Sequence, residues 1–232
     1  MMFRQLLTSI LILISALFLP KNSAANTFAL IVANANYQNF APLRTPHFDA
    51  DLVGNAFKQL GIKTLVLKDL NRLEFLKAII KFDSEIKGSN RVVFYFAGHG
   101  VHINGESYLM PVDADFSMES WRENVVSLSL LAQAFSNETR QKIFVIDACR
   151  DNPAYLQANA AKKPIRKTVH AGTFQIFSAQ PGAQAADGTN MHSPFAVSFS
   201  RALLNGNVEI EIVARKIRLD VIRATGGRQI PW

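Results

Sequence analysis

The chain has 232 residues, of which 49% are hydrophobic and 19% are charged, and its formal net charge is +7. This composition predicts a globular protein with a sizeable core and argues against a disordered chain. The basic residues are scattered apart from a cluster at residues 162–167, and no ladder of aromatic residues accompanies them, so we do not expect nucleic-acid binding.

The first 25 residues are predicted to be a signal peptide. One arginine precedes an apolar run at residues 6–19, and the small residues Ser23 and Ala25 suit a cleavage site. The run is shorter than the about 20 residues of a spanning helix, and no later segment is long and apolar enough to span. We expect an exported protein, periplasmic or extracellular, with no stable membrane span once the leader is removed. The alternative is an uncleaved N-terminal segment that tethers the chain to a membrane.

Strand-like and helix-like segments alternate along residues 26–232, which we predict to form one domain. The helix before residue 86 opens with a capping box, Asn71 with Glu74. Such alternation predicts an α/β fold whose mostly parallel sheet is covered on both faces. The predicted strands are residues 27–34, 63–67, 91–98, 142–148 and 172–179, with a small strand or hairpin in 107–115, and the predicted helices are 48–60, 71–86, 127–135, 194–204 and 209–224.

Cys149 is the chain's only cysteine, and it directly follows the fourth predicted strand. A lone cysteine in an exported protein cannot form an internal disulfide. An inert buried thiol, an intermolecular bridge and a nucleophile remain as interpretations. Residues 154–170, a polar stretch after this cysteine, are the candidate linker between a larger and a smaller part of the domain.

A histidine, His99, follows the third predicted strand in the same way. Ligands of open parallel sheets bind beyond the carboxyl ends of the strands. If the third and fourth strands are neighbours, His99 and Cys149 project into one crevice. An imidazole there could take the thiol proton and later protonate a leaving amine.

Beyond this pair, an ordered set of motifs spans residues 27–232. The set comprises ALIVANANY, FDA at residues 48–50, VVFYFAGHGV, YLMPVDAD, IDACRDNP, PGAQAADG, SPFAVSF and ATGGRQIPW. With these motifs the chain resembles the caspase-like cysteine peptidases of the metacaspase and bacterial type. The separation of 50 positions from His99 to Cys149 also agrees with the spacing in caspases.

The resemblance implies a three-layer α/β/α sandwich of the caspase type and a cysteine-type endopeptidase activity. It implies that Cys149 is the nucleophile and His99 the general base and acid, with a thioester acyl-enzyme. The backbone N–H groups of Gly100 and Cys149 would form the oxyanion hole. No cofactor is required; calcium activates parts of the family, and no calcium site can be located here from motifs.

Two acidic positions, Asp49 and Asp147, match the substrate pocket of metacaspase-like enzymes. Two carboxylates would favour Arg or Lys on the acyl side of the scissile bond, so specificity for aspartate is not expected. From the residues alone, the preferred interpretations are an N-cap of the first helix for Asp49 and a turn or helix-cap residue just after the strand for Asp147.

The basic cluster near the candidate linker suggests self-cleavage after Lys162, Arg166 or Lys167. Lys163 is excluded because a proline follows it. No metal site is expected, since His99 and His102 have no obvious third ligand. The other histidines, His47, His170 and His192, are predicted to lie in loops without a role.

One alternative from a different functional class stays open, which is a catalytically silent caspase-like module that acts in binding or signalling. Fold similarity does not decide between the two, because folds do not determine turnover. The presence of both dyad residues and both acids favours the enzyme, acting on peptide or protein substrates.

Overall fold

The computed structural model describes residues 26–117, 120–135, 140–150, 172–186, 188, 190–206 and 209–232. The predicted signal peptide, residues 1–25, lies outside the described residues. The same holds for the candidate linker, residues 154–170, and with it for Lys162, Arg166 and Lys167.

The strands form two sheets. In the described residues the strands are β1 (Thr27–Ala33), β2 (Lys63–Lys68), β3 (Arg91–Gly98), β4 (Gly100–Ile103), β5 (Glu106–Leu109), β6 (Val126–Ser127), β7 (Gln141–Ala148) and β8 (Thr173–Phe177). Five of them form the larger sheet in the order β2-β1-β3-β7-β8, and every neighbouring pair is parallel. The short strands β4, β5 and β6 form a separate antiparallel sheet.

Helices cover both faces of the larger sheet. The helices are α1 (Pro46–Gln59), α2 (Arg72–Glu85), α3 (Leu128–Ala134), α4 (Pro194–Leu204) and α5 (Ile210–Ala224). Side chains of α1, α4 and α5 form one core with the sheet, and those of α2 and α3 form the other. The central strands are nearly continuous apolar runs because both of their faces are buried. The predicted three-layer α/β/α architecture with a mostly parallel sheet is confirmed.

Aromatic side chains fill much of both cores. On one face Tyr95 stacks on Phe199 with ring centroids 5.9 Å apart. On the other, Phe75 stacks on Phe96 at 6.0 Å, and all of these rings are fully buried. Each such ring removes a large apolar area from water, which makes the cores the main stabilising contribution to the fold.

Helix starts follow local sequence signals, with one correction. The capping box of α2 is present, since the N–H of Glu74 donates to Asn71 Oδ1 at 2.9 Å and the N–H of Asn71 donates to Glu74 Oε2 at 3.0 Å. The first helix was predicted from residue 48 and begins at Pro46, a residue whose fixed φ suits the first helical position. Thr45 occupies the cap position, so the interpretation of Asp49 as an N-cap is wrong.

Asn34 ties loops together at the carboxyl edge of the larger sheet. Its side chain is fully buried directly after β1. Its Nδ2 donates to Met110 O at 2.9 Å, and its Oδ1 accepts from the N–H of Leu70 at 3.0 Å. The amide thus fixes two loops at the edge where ligands of open parallel sheets bind.

The chain leaves β3 through a single residue before it enters the small sheet. Gly100 pairs with Leu109 at the start of the β4–β5 hairpin, so the hairpin begins earlier than predicted. Side chains of this hairpin form a third apolar cluster, which includes Tyr108 together with Tyr37 and Trp121. In the described part of the chain, none of the helices combines the length and the apolar character needed to cross a membrane.

Candidate active site

The predicted nucleophile and base follow adjacent strands. Strands β3 and β7 are parallel neighbours, and their register pairs Gly98 with Ala148. His99 and Cys149 therefore directly follow two residues that are paired across these neighbouring strands. Both line a single cleft at the carboxyl edge of the sheet.

The imidazole of His99 is held by a backbone carbonyl. His99 Nε2 lies 2.9 Å from Ala41 O. Because a carbonyl oxygen only accepts hydrogen bonds, this contact assigns the proton to Nε2 and leaves Nδ1 as the basic nitrogen. The contact thus selects the tautomer that a general base needs.

Tyr37 contacts the same histidine through its hydroxyl group and its ring. The backbone N–H of His99 donates to Tyr37 Oη at 2.7 Å, and the hydroxyl donates onward to Met110 O at 3.3 Å. The two rings lie 4.6 Å apart. Burial raises the pKa of Tyr37, so its hydroxyl stays neutral and keeps its donor. Sequence reasoning missed this residue because it lies in a polar, Asn-rich segment that predicts only a loop.

Gly98 is required by the close approach of Tyr37. A Cβ atom at this position would lie 2.5 Å from Tyr37 Oη and 2.9 Å from Phe96 Cζ. The residue also has a φ of 156°. Any larger residue would displace the hydroxyl that holds His99.

The thiol of Cys149 contacts the loop that follows β8. The N–H of Ala185 donates to Cys149 Sγ at 3.4 Å, and Ala185 O lies 3.8 Å from the same sulfur. The cysteine is partly buried. The N–H directed at sulfur stabilises the thiolate, whereas the longer contact, in which the thiol donates to Ala185 O, stabilises the neutral form.

The two residues of the predicted oxyanion hole are neighbours. A Cβ atom on Gly100 would lie 3.0 Å from Ala148 Cβ and 3.1 Å from Cys149 O. A glycine therefore lets the start of β4 approach the backbone at the nucleophile. The assignment of the two N–H groups to an oxyanion stays a prediction.

Both predicted substrate-binding acids lie in this cleft. Asp49 belongs to the first turn of α1, and Asp147 is the penultimate residue of β7. Both are at least 93% buried and line the cleft together with His99 and Cys149. Asp147 lies inside its strand, so its interpretation as a turn or cap residue is wrong.

Ser193 joins the two carboxylates. Its N–H donates to Asp49 Oδ1 at 3.0 Å, and its hydroxyl donates to Asp147 Oδ2 at 2.6 Å. Ser193 Oγ also accepts from the N–H of Ala196 at 2.9 Å, which makes Ser193 the N-cap of α4. A serine before proline predicts the cap, but no local pattern predicts a contact with residues so distant in the chain.

Two further side chains contact the acids. His192 Nδ1 lies 3.2 Å from Asp49 Oδ1, and the hydroxyl of Tyr95 donates to Asp147 Oδ2 at 3.4 Å. The predicted loop position of His192 is confirmed, although no motif marks its contact with Asp49. The predicted loop position is wrong for His47, which lies in α1 and has Nε2 at 3.0 Å from Asp69 Oδ1. His170 lies outside the described residues.

The surroundings of Asp147 raise the pKa of its carboxyl group. Burial, and then the negative charge of Asp49, raise the pKa of Asp147 to about 7. Hydroxyl groups of Ser193 and Tyr95 donate to Asp147 and oppose this rise only in part. Near neutral pH the cleft therefore contains buried negative charge that a bound cation would stabilise.

No metal cluster accompanies these residues. Among the residues that the structure describes, no group of three or more His, Cys, Asp or Glu side chains could hold a metal ion.

Comparison with known proteins agrees with the fold. The family model of the caspase domain, Peptidase C14, matches residues 26–232. The chain therefore belongs to the caspase-domain family of peptidases.

Relatives among curated proteins carry the same kind of domain. Human mucosa-associated lymphoid tissue lymphoma translocation protein 1 is 31% identical over 133 residues, 57% of this chain and 16% of that protein. Its mouse homologue is 30% identical over the same shares. A paracaspase of Dictyostelium discoideum is 28% identical over 145 residues, 56% of this chain and 32% of that protein. The matches thus span a third or less of the relatives' own length.

The buried charge at Asp147 predicts a pH-dependent gain of stability in Asp147→Asn. Since the pKa is about 7 in the fold and 3.8 in the free side chain, the folded state binds the proton more tightly. Wild type therefore loses unfolding free energy as pH rises through this window, and Asn does not. We expect the variant to gain about 2–4 kcal/mol relative to wild type between pH 4 and pH 8. Urea unfolding across pH measures this.

The matched control for this change is Asp51→Asn, which removes an exposed carboxylate from α1 that pairs with Lys68. We expect no comparable rise for this control. Parallel stability curves of wild type and Asp147→Asn at every pH would contradict the buried charge.

The support of His99 by Tyr37 predicts a cost for Tyr37→Phe. The variant leaves the N–H of His99 without its acceptor, which costs about 1–3 kcal/mol of unfolding free energy in a buried position. Urea unfolding at pH 7 measures the loss. Tyr108→Phe is the control, because Tyr108 belongs to the same apolar cluster as Tyr37 and its hydroxyl bonds to Arg122 and not to the histidine. Equal losses in the two variants would show that the hydroxyl of Tyr37 has no special role.

Proposed function

We propose that the chain is a cysteine endopeptidase with a Cys149/His99 dyad that cleaves after Arg or Lys. One observation carries this proposal: the cleft that contains the thiol and the imidazole also contains two buried carboxylates, Asp49 and Asp147. Membership of the caspase-domain family supports the peptidase class. A relative named paracaspase supports the same class.

The dyad would act through proton transfer and a covalent intermediate. His99 Nδ1 takes the proton of the Cys149 thiol, and the thiolate attacks the scissile carbonyl carbon. The imidazolium then protonates the leaving amine, which leaves a thioester. Water, deprotonated by the same imidazole, hydrolyses the thioester and restores the thiol.

Backbone donors would stabilise the negative charge that develops on the carbonyl oxygen. The N–H groups of Gly100 and Cys149 are proposed as the oxyanion hole. Their neighbouring backbones support this role. Fixed donors in a cleft from which water is largely excluded are the largest contribution in many such reactions.

The acids would select the side chain on the acyl side of the bond. A guanidinium or ammonium group entering the cleft pairs with buried negative charge at Asp49 and Asp147 and offsets the cost of burying it. An aspartate in the same place would add a third carboxylate to the pair. The cleft therefore favours Arg and Lys and disfavours Asp.

Peptide hydrolysis tests the function directly. The substrates are fluorogenic peptides of one sequence that end in Arg, Lys, citrulline or Asp, assayed with reductant, with and without calcium. Citrulline matches the size of arginine and carries no charge, so the Arg-to-citrulline ratio of kcat/KM isolates the charge of the pocket. We expect a ratio of at least about 100, the scale of a buried ion pair.

Variants separate the parts of the proposal. Cys149→Ala should abolish turnover, and Asp49→Asn or Asp147→Asn should lower the Arg-to-citrulline ratio at least about tenfold. A ratio near one would reject the basic specificity alone. No turnover of any peptide, with alkylation of Cys149 that is slow and unaffected by His99→Ala, would favour the silent module.

We also propose self-cleavage after Lys162, Arg166 or Lys167, all basic residues that fit the proposed specificity. Incubated wild-type protein should yield two fragments whose masses place the cut at one of these residues. Cys149→Ala protein should stay intact, since it lacks the nucleophile. Intact mass spectrometry measures both, and identical full-length masses for the two proteins would reject the proposal.

A further inference from the structure

The segment after α5 returns to the candidate active site. Gly226 and Gly227 have positive φ angles of 59° and 81° and turn the chain at the end of the helix. The N–H of Gln229 donates to Thr225 Oγ1 at 3.1 Å, which fixes the start of the segment. At its other end Trp232 exchanges two backbone hydrogen bonds with Phe177 at the end of β8. The segment is thus anchored on both sides of Gln229.

The side chain of Gln229 is buried and paired at both of its polar ends. Only 2% of the residue is exposed. Its Nε2 donates to Ser178 O at 2.9 Å, and its Oε1 accepts from the N–H of Ala186 at 3.2 Å. A buried primary amide that joins two separate backbone groups fixes the distance between them.

Both backbone groups belong to segments that contact the nucleophile or its neighbour. Ser178 Oγ accepts from the N–H of Ala148, the residue before Cys149, at 3.1 Å. Ala186 follows Ala185, whose N–H donates to Cys149 Sγ at 3.4 Å. The amide of Gln229 therefore bridges the end of β8 and the loop that reaches the sulfur.

From this geometry we propose that Gln229 is a positioning residue that holds the Ala185 N–H against Cys149 Sγ and so favours the thiolate. Gln229 does not itself line the cleft, and it acts through Ala185 and Ala186, the loop residues that do. The inference rests on the proposed function only in taking Cys149 as the nucleophile. Its test measures the thiol without any peptide substrate.

The experiment is the rate of Cys149 alkylation by iodoacetamide as a function of pH, in the folded full-length chain. Because the chain has one cysteine, the gain of mass reports on this thiol alone. Gln229→Met keeps a side chain of similar length and removes both hydrogen bonds. We expect its alkylation midpoint to lie about one pH unit above that of wild type, with a rate up to about tenfold lower below the midpoint.

The control is Thr225→Val, which removes the hydroxyl that accepts from the N–H of Gln229 and leaves the amide side chain in place. It loosens the same segment, so a purely structural role of the segment predicts the same change in both variants. We expect the alkylation midpoint of Thr225→Val to remain that of wild type. If Gln229→Met does not fold, Gln229→Asn replaces it, since Asn keeps the amide and is one methylene too short to reach both partners.

Three outcomes would overturn the inference. They are an unchanged midpoint in the Gln229 variant, an equal shift in Thr225→Val, and faster alkylation of the Gln229 variant at every pH, which would mean that the loop shields the sulfur. A shifted midpoint together with no peptide turnover would reject the proposed function and leave the inference standing. Peptide turnover with unchanged midpoints would reject the inference alone.

Discussion

The candidate site depends on the register between β3 and β7. Parallel neighbours lie about 4.8 Å apart, so the pairing of Gly98 with Ala148 starts His99 and Cys149 from adjacent backbone positions. A slip of one residue would turn every side chain of one strand to the other face. Buried rings prevent such a slip, because Phe94 and Phe144 face each other in the same ladder at 6.0 Å. The placement of His99 and Cys149 at neighbouring strand ends is therefore a consequence of core packing.

The carboxylates of Asp49 and Asp147 have the opposite effect on the fold. When Asp147 is ionised, its charge lowers the free energy of unfolding. Two buried carboxylates repel each other, and burial alone disfavours their charged forms. Ser193 offsets part of this cost with two donated hydrogen bonds, and as the N-cap of α4 it brings both acids to the positive end of a helix. In the proposed function a basic group from a substrate would relieve the remaining cost, so the cost of the buried charge and the proposed specificity would have one origin.

Much of this arrangement could be predicted from the sequence, and the limit is physical. Apolar runs that end in Gly-His-Gly and in Ala-Cys predict strand ends, and the rule for open sheets then predicts one crevice. Contacts with the site residues were beyond prediction, because Tyr37, Ser193 and Gln229 reach partners that lie far away in the chain and leave no local period. The predicted start of α1 at residue 48 is two residues late for a different reason, since a proline such as Pro46 is itself a signal for the first helical position.

The order of the strands also bears on how a cut chain would behave. Residues 172–232 supply Ala185, Ser193 and Gln229 to a dyad that belongs to residues 26–150. The two parts share the β7–β8 ladder, a core in which Phe57 contacts Phe199, and the hydrogen bonds of Ser193 to both acids. None of these contacts requires a covalent link through residues 151–171. A cut there would leave the parts joined by buried contacts, so the site would persist while the connecting chain is broken.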